Sequence, residues 1–490
     1  MSMGRRKAQQ TPMWLAGPAL ARSPGHKFYE KLNELLKDAE FDRRVEELCA
    51  PYFEAADKPG RPSIVPGVYF RMLFVGYFEG IESERGLEWR CADSLSLRAF
   101  LGVQMNERVP DHSSLSRMRT RLDGDVYDAV FRLVLGIVDA KGLLRGKVAG
   151  VDSTYLRADA SMKTIVRKDT GDDYATYLKK LCEAQGIENP TVEDARRMDR
   201  KREGKKTSNT EWKSPVDADA RIVRLKDGRT RLGYKAEHVV DLDSGAIVAA
   251  ELYRADEADT ATLRPSLEVA RENVAVVRDE AKPDDDDHDD DAGPPAGGSN
   301  EEACETIEVV TDKGYHKVEL LLELRRADYR TYIPVPDQKG NLSFVDKGGM
   351  LAREAFHDNR KRVRRKKGKS LLKLRGELIE RTFALACETG AHRRTRLRGR
   401  DNARKRYIAH AAALNLGLVM RTLFGYGTPR EMAAAIAVAW NVLLRFLYAS
   451  VVAVHRRVAG TALPLTVAAP VVAPPAVTLM SLRPVSSTGC

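Results

Sequence analysis

The chain has 490 residues, of which 43% are hydrophobic and 31% charged, with a formal net charge of +11. That length exceeds what one core usually serves, so two or three domains are expected. The basic balance points to a polyanion such as nucleic acid or an acidic membrane surface. The six cysteines (Cys49, Cys91, Cys182, Cys304, Cys387 and Cys490) contain no C-x-x-C pair. Their scatter speaks against a zinc site and a disulfide framework and fits a reducing cytosol. Between Leu351 and His410 there are 20 Lys and Arg against 6 Asp and Glu, a net +14 that exceeds the charge of the whole chain. One basic surface is implied.

Residues 1–27 read as a mobile basic tail, and the apolar stretch Met13–Ala21 is broken by Gly17 and Pro18, which rejects a signal peptide. From Phe28 to about residue 146 the apolar positions recur every three or four residues, predicting helices. Pro66 suits the first turn of one of them. After the break at Pro110 and Asp111, Ser113 or Ser114 is placed to cap a helix carrying Arg117, Arg119 and Arg121. Short helices ending in such a helix suit a helix-turn-helix or an ordinary bundle with solvated arginines, and spacing alone leaves both open.

The stretch Lys147–Leu156, KVAGVDSTYL, is an apolar strand bearing one carboxylate, Asp152, on the face of Val148 and Thr154. Such an acid needs the strand end or a cation, because an unpaired buried carboxylate is costly. Residues 162–212 read as a helical, partly mobile insertion. From Ala220, three strands separated by Asp227-Gly228 and Asp243–Gly245 form an antiparallel meander. Pro265–Arg278 is a predicted helix, and 282–300 is a solvated acidic linker. Ile307–Thr311, Val318–Leu324 and Tyr329–Val335 read as strand, helix and strand, a parallel crossover unit. Asp312 stands just beyond the carboxyl end of its strand, a usual place for a functional group in an α/β sheet.

The run Arg360–Lys369, RKRVRRKKGK, reads as an exposed arm, followed by a helix starting near Leu371. Leu374, Leu378 and Leu385 mark the buried side of that helix, with Glu380 beside the stripe. Ala433–Val454 approaches membrane length, but Asn441 and Arg445 interrupt it, so a buried helix is expected rather than a span. Residues 455–490 form a Pro/Ala/Val-biased tail.

Asp152, Asp312 and Glu380 are separated by 160 and 68 residues. Magnesium prefers oxygen ligands and keeps several waters, so a few carboxylates plus substrate phosphates suffice. Two ions about 3.5–4 Å apart can clamp the attacking and leaving oxygens of a phosphodiester displacement.

In this order the chain resembles the DDE transposases of bacterial insertion sequences, in the branch with an InsH-like N-terminal domain. The resemblance rests on RPSIVPGVYFRMLFVGYFEGIESERGLEWR and VPDHSSLSRMRTRL at the front. It continues through VAGVDSTYLRADAS, GYKAEHVVDLDSGAIVAAEL, VVTDKGY, IERTFA, RTRLRGRDNARK and AALNL, spanning roughly Pro62 to Leu416. It implies an α/β catalytic core of ribonuclease-H-like type, a mixed sheet with helices, over residues 147–454, with insertions at 162–212 and 282–300. An all-α DNA-binding domain at 28–146 precedes it. Asp152, Asp312 and Glu380 become the three acids holding two Mg2+ ions, with Mn2+ as a substitute.

The implied activity is metal-dependent cleavage at element ends and strand transfer into new DNA, by a cytoplasmic homo-oligomer assembled on double-stranded DNA, without a membrane. Related enzymes carry a Tyr seven residues before the third acid, an Arg four before it and a Lys seven after. Lys373, Gly376 and Cys387 stand there instead. The Arg role then falls to Arg375 or Arg381, the later basic role to Arg393 or Arg394, and Glu377 is a rival for the third acid. Arg362, Arg364 and Arg365 join these as DNA-binding candidates. Lys235 and His238 lie in the GYKAEH piece, where a strand-face lysine and a structural histidine explain them equally well. The competing readings are a catalytically decayed or domesticated transposase that only binds DNA, and a ribonuclease-H-like host nuclease.

Overall fold

The computed structural model describes residues 26–53, 63–201, 208–225, 227–280, 306–336, 344 and 348–459. The tail at 1–25, the linker at 282–300 and the segment 460–490 lie outside the described residues. Among those described, seven α-helices precede the first strand: α1 (Lys27–Asp38), α2 (Phe41–Cys49), α3 (Pro66–Glu79), α4 (Glu84–Asp93), α5 (Leu95–Leu101), α6 (His112–Arg121) and α7 (Gly124–Ala140).

Helix α3 starts on Pro66, whose fixed φ suits a first turn, and is buried from Pro66 to Phe78. Its one buried charge, Arg71, donates to both carboxylate oxygens of Asp42 at 2.9 Å, to Asn33 Oδ1 at 2.8 Å and to the Phe100 carbonyl at 3.0 Å. Helix α6 is capped by Asp111, which accepts the Ser114 N–H at 2.7 Å, and not by Ser113 or Ser114. A carboxylate at Asp111 both replaces a missing acceptor and meets the positive end of the helix dipole.

The sheet holds β1 (Val148–Arg157), β4 (Arg221–Arg224), β5 (Thr230–Asp241), β6 (Ile247–Arg254), β7 (Ile307–Val310) and β8 (Tyr329–Tyr332). Strand β1 is central: it pairs antiparallel with β5 and parallel with β7, β7 pairs parallel with β8, and β4 and β6 both lie antiparallel along β5. The expected meander and the crossover through α11 (Val318–Arg326) are both present. The 162–212 insertion holds a short ladder of β2 (Val166–Arg167) with β3 (Trp212–Lys213) and two helices, α8 (Tyr174–Ala184) and α9 (Val192–Lys201), around Leu178, Cys182 and Ala195.

Helix α10 (Asp259–Glu280) covers one face of the sheet. It begins six residues before the predicted Pro265, because that proline sits inside the helix and not in its first turn. The other face carries α13 (Lys366–Glu388) and α14 (Arg400–Phe424), which meet at His238 of β5. Helix α14 also packs on α7 and α3, so the N-terminal helices share one continuous apolar core with the sheet.

Two expectations are corrected. The basic run is not an arm but the last turns of α12 (Gly349–Arg364) and the first turns of α13, interrupted at Arg365. Lys and Arg are good helix formers, and two of these side chains have inward partners: Arg362 donates to the Thr331 carbonyl at 2.9 Å and Lys367 to Glu308 at 2.7 Å. The last helix, α15 (Pro429–Ala459), forms as predicted but is not buried. Ile436, Trp440, Phe446, Val451 and other large side chains along it are exposed. By length and composition alone it could cross a membrane.

A candidate catalytic site at the ends of two parallel strands

The register pairs Gly150 of β1 with Val310 of β7, and each strand places an acid two residues further on, Asp152 and Asp312. Gly150 lets α13 approach this edge. A Cβ there would lie 2.6 Å from Leu242 Cδ2 and 3.0 Å from Ile379 Cδ1.

Asp152 is three-quarters buried, with 25% of its side chain exposed, and accepts from the Arg375 guanidinium at 2.8 Å. Its other oxygen accepts the Ser153 N–H at 2.8 Å. Arg375 is anchored further by the Val151 carbonyl, at 3.2 Å from Nε and 2.9 Å from Nη2. Burial pushes the Asp152 carboxyl above the usual carboxylate range. Arg375 opposes that shift, while the charges of Asp312 and Asp259 add to it.

Asp312 closes a 3-10 turn by accepting the Gly314 N–H at 2.8 Å. A Cβ on Gly314 would lie 3.0 Å from both Asp259 Oδ2 and Asp312 Oδ1, so these two carboxylates flank that glycine. Asp259 also takes the Ser153 hydroxyl and the Lys235 ammonium, each at 3.2 Å. Sequence reasoning missed Asp259, because it belongs to the part of α10 before Pro265. The stretch DEADT, a helix-start composition ahead of an apolar run, was the available signal.

Glu380 is not brought to these acids. It is exposed on α13 and makes no hydrogen bond or ion pair among the described residues. At about 100° per residue, it stands about 140° around the helix from Arg375. It shares a flank with Phe383, which stacks on His238 with ring centroids 4.4 Å apart. His238 is the register partner of Asp152. Glu377 points further outward and pairs with Lys373 at 3.8 Å on the exposed side. Among the described residues no three His, Cys, Asp or Glu side chains stand close enough to hold one ion.

His238 itself is structural. It is buried between Thr382 Oγ1 at 3.0 Å and the Tyr407 hydroxyl at 2.6 Å, and burial depresses its pKa to about 3.

The basic candidates fall into two groups. Arg117, Arg364, Arg365, Arg381 and Arg393 are exposed. Arg119 is 12% exposed and committed to Glu84 and Asn402, Arg121 lies over the Phe53 ring at 5.0 Å, and Arg394 pairs with Asp159 at 2.5 Å. Arg362 and Arg375 are held by Thr331 and Asp152 as described above.

Two family models match the chain. The model described as a transposase domain (DUF772) covers residues 19–121, and the transposase DDE domain covers residues 194–416. The chain therefore belongs to the DDE transposases of the insertion-sequence type, enzymes that cut and join DNA. The DDE domain implies a ribonuclease-H-like fold, which the mixed sheet with its flanking helices fits. Asp312 and Glu380 lie inside the second match, and Asp152 lies between the two. A search of curated proteins finds no match. Among solved structures, a cryo-EM structure of the piggyBac transposase synaptic complex with hairpin DNA aligns at 10% identity over 81% of this chain and 75% of that one. Its TM-score of 0.28 is too low for that likeness to carry any argument.

Proposed function

We propose that this transposase binds the terminal inverted repeats of its insertion sequence and catalyses metal-dependent cleavage and strand transfer. Asp152, Asp312 and Glu380 are the proposed acids. The observation that carries the reading is that Asp152 on β1 and Asp312 just past the end of the parallel β7 stand at matching register. Like charges gathered in a partly buried edge call for a cation, and in this conformation Arg375 supplies one. The donors are all carboxylate oxygens, which fits Mg2+, or Mn2+ in its place.

Asp152 and Asp312 would hold the metal, two ions in the full assembly, and Glu380 would complete the set in preference to the outward Glu377. When bound, the metal supplies Lewis acidity and lowers the pKa of a bound water. The chain's own part is to hold the acids in register and to draw phosphates in through exposed cations. Arg117 within residues 28–146 serves element-end binding, and Arg364, Arg365, Arg381 and Arg393 serve the DNA held by the catalytic domain at 147–454. A homo-oligomer on double-stranded DNA in the cytoplasm completes the proposal.

One observation favours a second reading, a decayed or domesticated protein that only binds DNA: Glu380 stands apart while Arg375 occupies Asp152. Incubating the protein and Mg2+ with duplexes carrying the repeats that flank its gene separates the two. Cleavage by the wild type and none by Asp312→Ala supports the enzyme. Binding without cleavage by the wild type overturns it.

A further inference from the structure

On the face of the sheet opposite α13, Glu237 of β5 is fully buried. Its Oε1 accepts the Ser266 hydroxyl at 2.6 Å, and its Oε2 accepts the hydroxyls of Thr262 and Tyr315, each at 2.8 Å. Two of these donors come from α10 and the third from the turn that begins at Asp312. A carboxylate removed from water needs such donors in place of its hydration, and here it receives three.

The network continues. Lys235 donates to Thr262 Oγ1 at 2.8 Å and to Asp259 at 3.2 Å, and Asp259 takes the Ser153 hydroxyl at 3.2 Å. A hydrogen-bonded path thus runs from the turn of Asp312 to the residue after Asp152.

Asp312 itself has only a local bond, from Gly314 N–H, and across Gly314 it faces the carboxylate of Asp259. Tyr315, three residues after Asp312 and 1% exposed, is the buried anchor of that turn, and its hydroxyl ends on Glu237.

We infer that Glu237 is the positioning residue of Asp312, acting through the Tyr315 hydroxyl to hold the turn in place. The inference rests on the proposed role of Asp312 as a metal-holding acid. The test is calorimetric titration of the full chain with Mn2+ alone, without DNA. Partners that orient a metal-holding side chain are worth roughly tenfold or more in affinity. Tyr315→Phe, which keeps the ring and removes only the hydroxyl, should therefore weaken Mn2+ about tenfold. Glu237→Gln retains an oxygen acceptor for Tyr315 and should stay within about threefold of wild type, because the bond that orients the acid survives. Wild-type affinity in Tyr315→Phe, beside a weakened Asp312→Ala control, overturns the inference. Equal losses in Tyr315→Phe and Glu237→Gln overturn it too, since the bond would then not be what matters. Wild-type affinity in Asp312→Ala overturns instead the reading of Asp312 as a metal-holding residue.

Discussion

The sheet and helix α13 present the proposed acids in different ways. Asp152 projects from β1 and Asp312 stands two residues past the end of the parallel β7, so the register of the two strands sets them side by side, and a slip of one strand against the other would part them. Glu380 projects from a helix, where position depends on rotation about the axis. In this conformation the face of α13 turned to Asp152 carries Arg375, Ile379 and Thr382. Strand-borne groups are settled by pairing, whereas a helix-borne group is settled by whatever the helix packs on. The lesson is that two acids of the set are prearranged and the third is conditional.

The strongest way to break that contrast is to remove each acid in turn. Asp152→Ala, Asp312→Ala and Glu380→Ala should each lower DNA cleavage by about a thousandfold, the scale of losing one charge-stabilising group at a reaction centre. Retention of element-end duplexes in a gel-shift assay should be nearly unchanged. Normal cleavage by Glu380→Ala would make the site one of strand acids alone.

A smaller effect is expected from the basic junction of α12 and α13. Changing Lys361, Arg364, Arg365 and Lys366 together to Gln spares the inward-tied Arg362 and Lys367. The log–log salt slope of duplex binding should then shallow by about 0.9 for each phosphate that is no longer neutralised. An unchanged slope would mean this junction never meets DNA.

Arg375→Ala should destabilise the DNA-free protein by about 1–3 kcal/mol, because it leaves a partly buried carboxylate without its partner. Added Mn2+ should raise the thermal unfolding midpoint of this variant more than that of wild type. The reverse order would show that Arg375 and a metal ion do not compete for Asp152.

The seat of α13 on the sheet can be probed by pH. His238 is held neutral, with a folded pKa of about 3 against an ordinary value near 6.5. Above pH 6.5 its protonation favours neither state. Below it the unfolded chain takes up a proton that the folded one refuses, so stability is lost as pH falls from about 6.5 towards 3. Denaturant midpoints measured across that range should decline in wild type, and more gently in His238→Gln. The smallest effect is assigned to Glu377→Ala, which should leave cleavage within about twofold, since it removes only an exposed pair with Lys373.

Part of the proposed site was legible in the sequence, and for identifiable reasons. Asp152 interrupts an apolar strand and Asp312 follows another, and those patterns survive folding because strand pairing preserves them. Glu380 was read as lying beside a buried stripe of Leu374, Leu378 and Leu385, but those leucines are half-buried, the helix buries Ile379, Thr382 and Ala386 instead, and Glu380 is exposed. Asp259 and Glu237 were missed, although each is tied to the edge of the site. Their partners lie between 24 and 106 residues away along the chain. Arg375 was proposed as a DNA contact, and its bond to Asp152 spans an interval that no spacing rule reaches.

Helices α3 and α15 mark the boundary between the two kinds of information. Both are apolar on nearly all sides, and the sequence alone determined that each would be helical, as it determined the order of the elements, the basic segment and the family. Only the tertiary structure decided that α3 is enclosed from Pro66 to Phe78 while α15 leaves Trp440 and Phe446 in the open. Hydrogen bonds within a helix are local and can be read along the chain. Burial depends on which distant surfaces arrive to cover a face, and α14, α7 and α2 reach α3 from far along the sequence or from the other side of a turn.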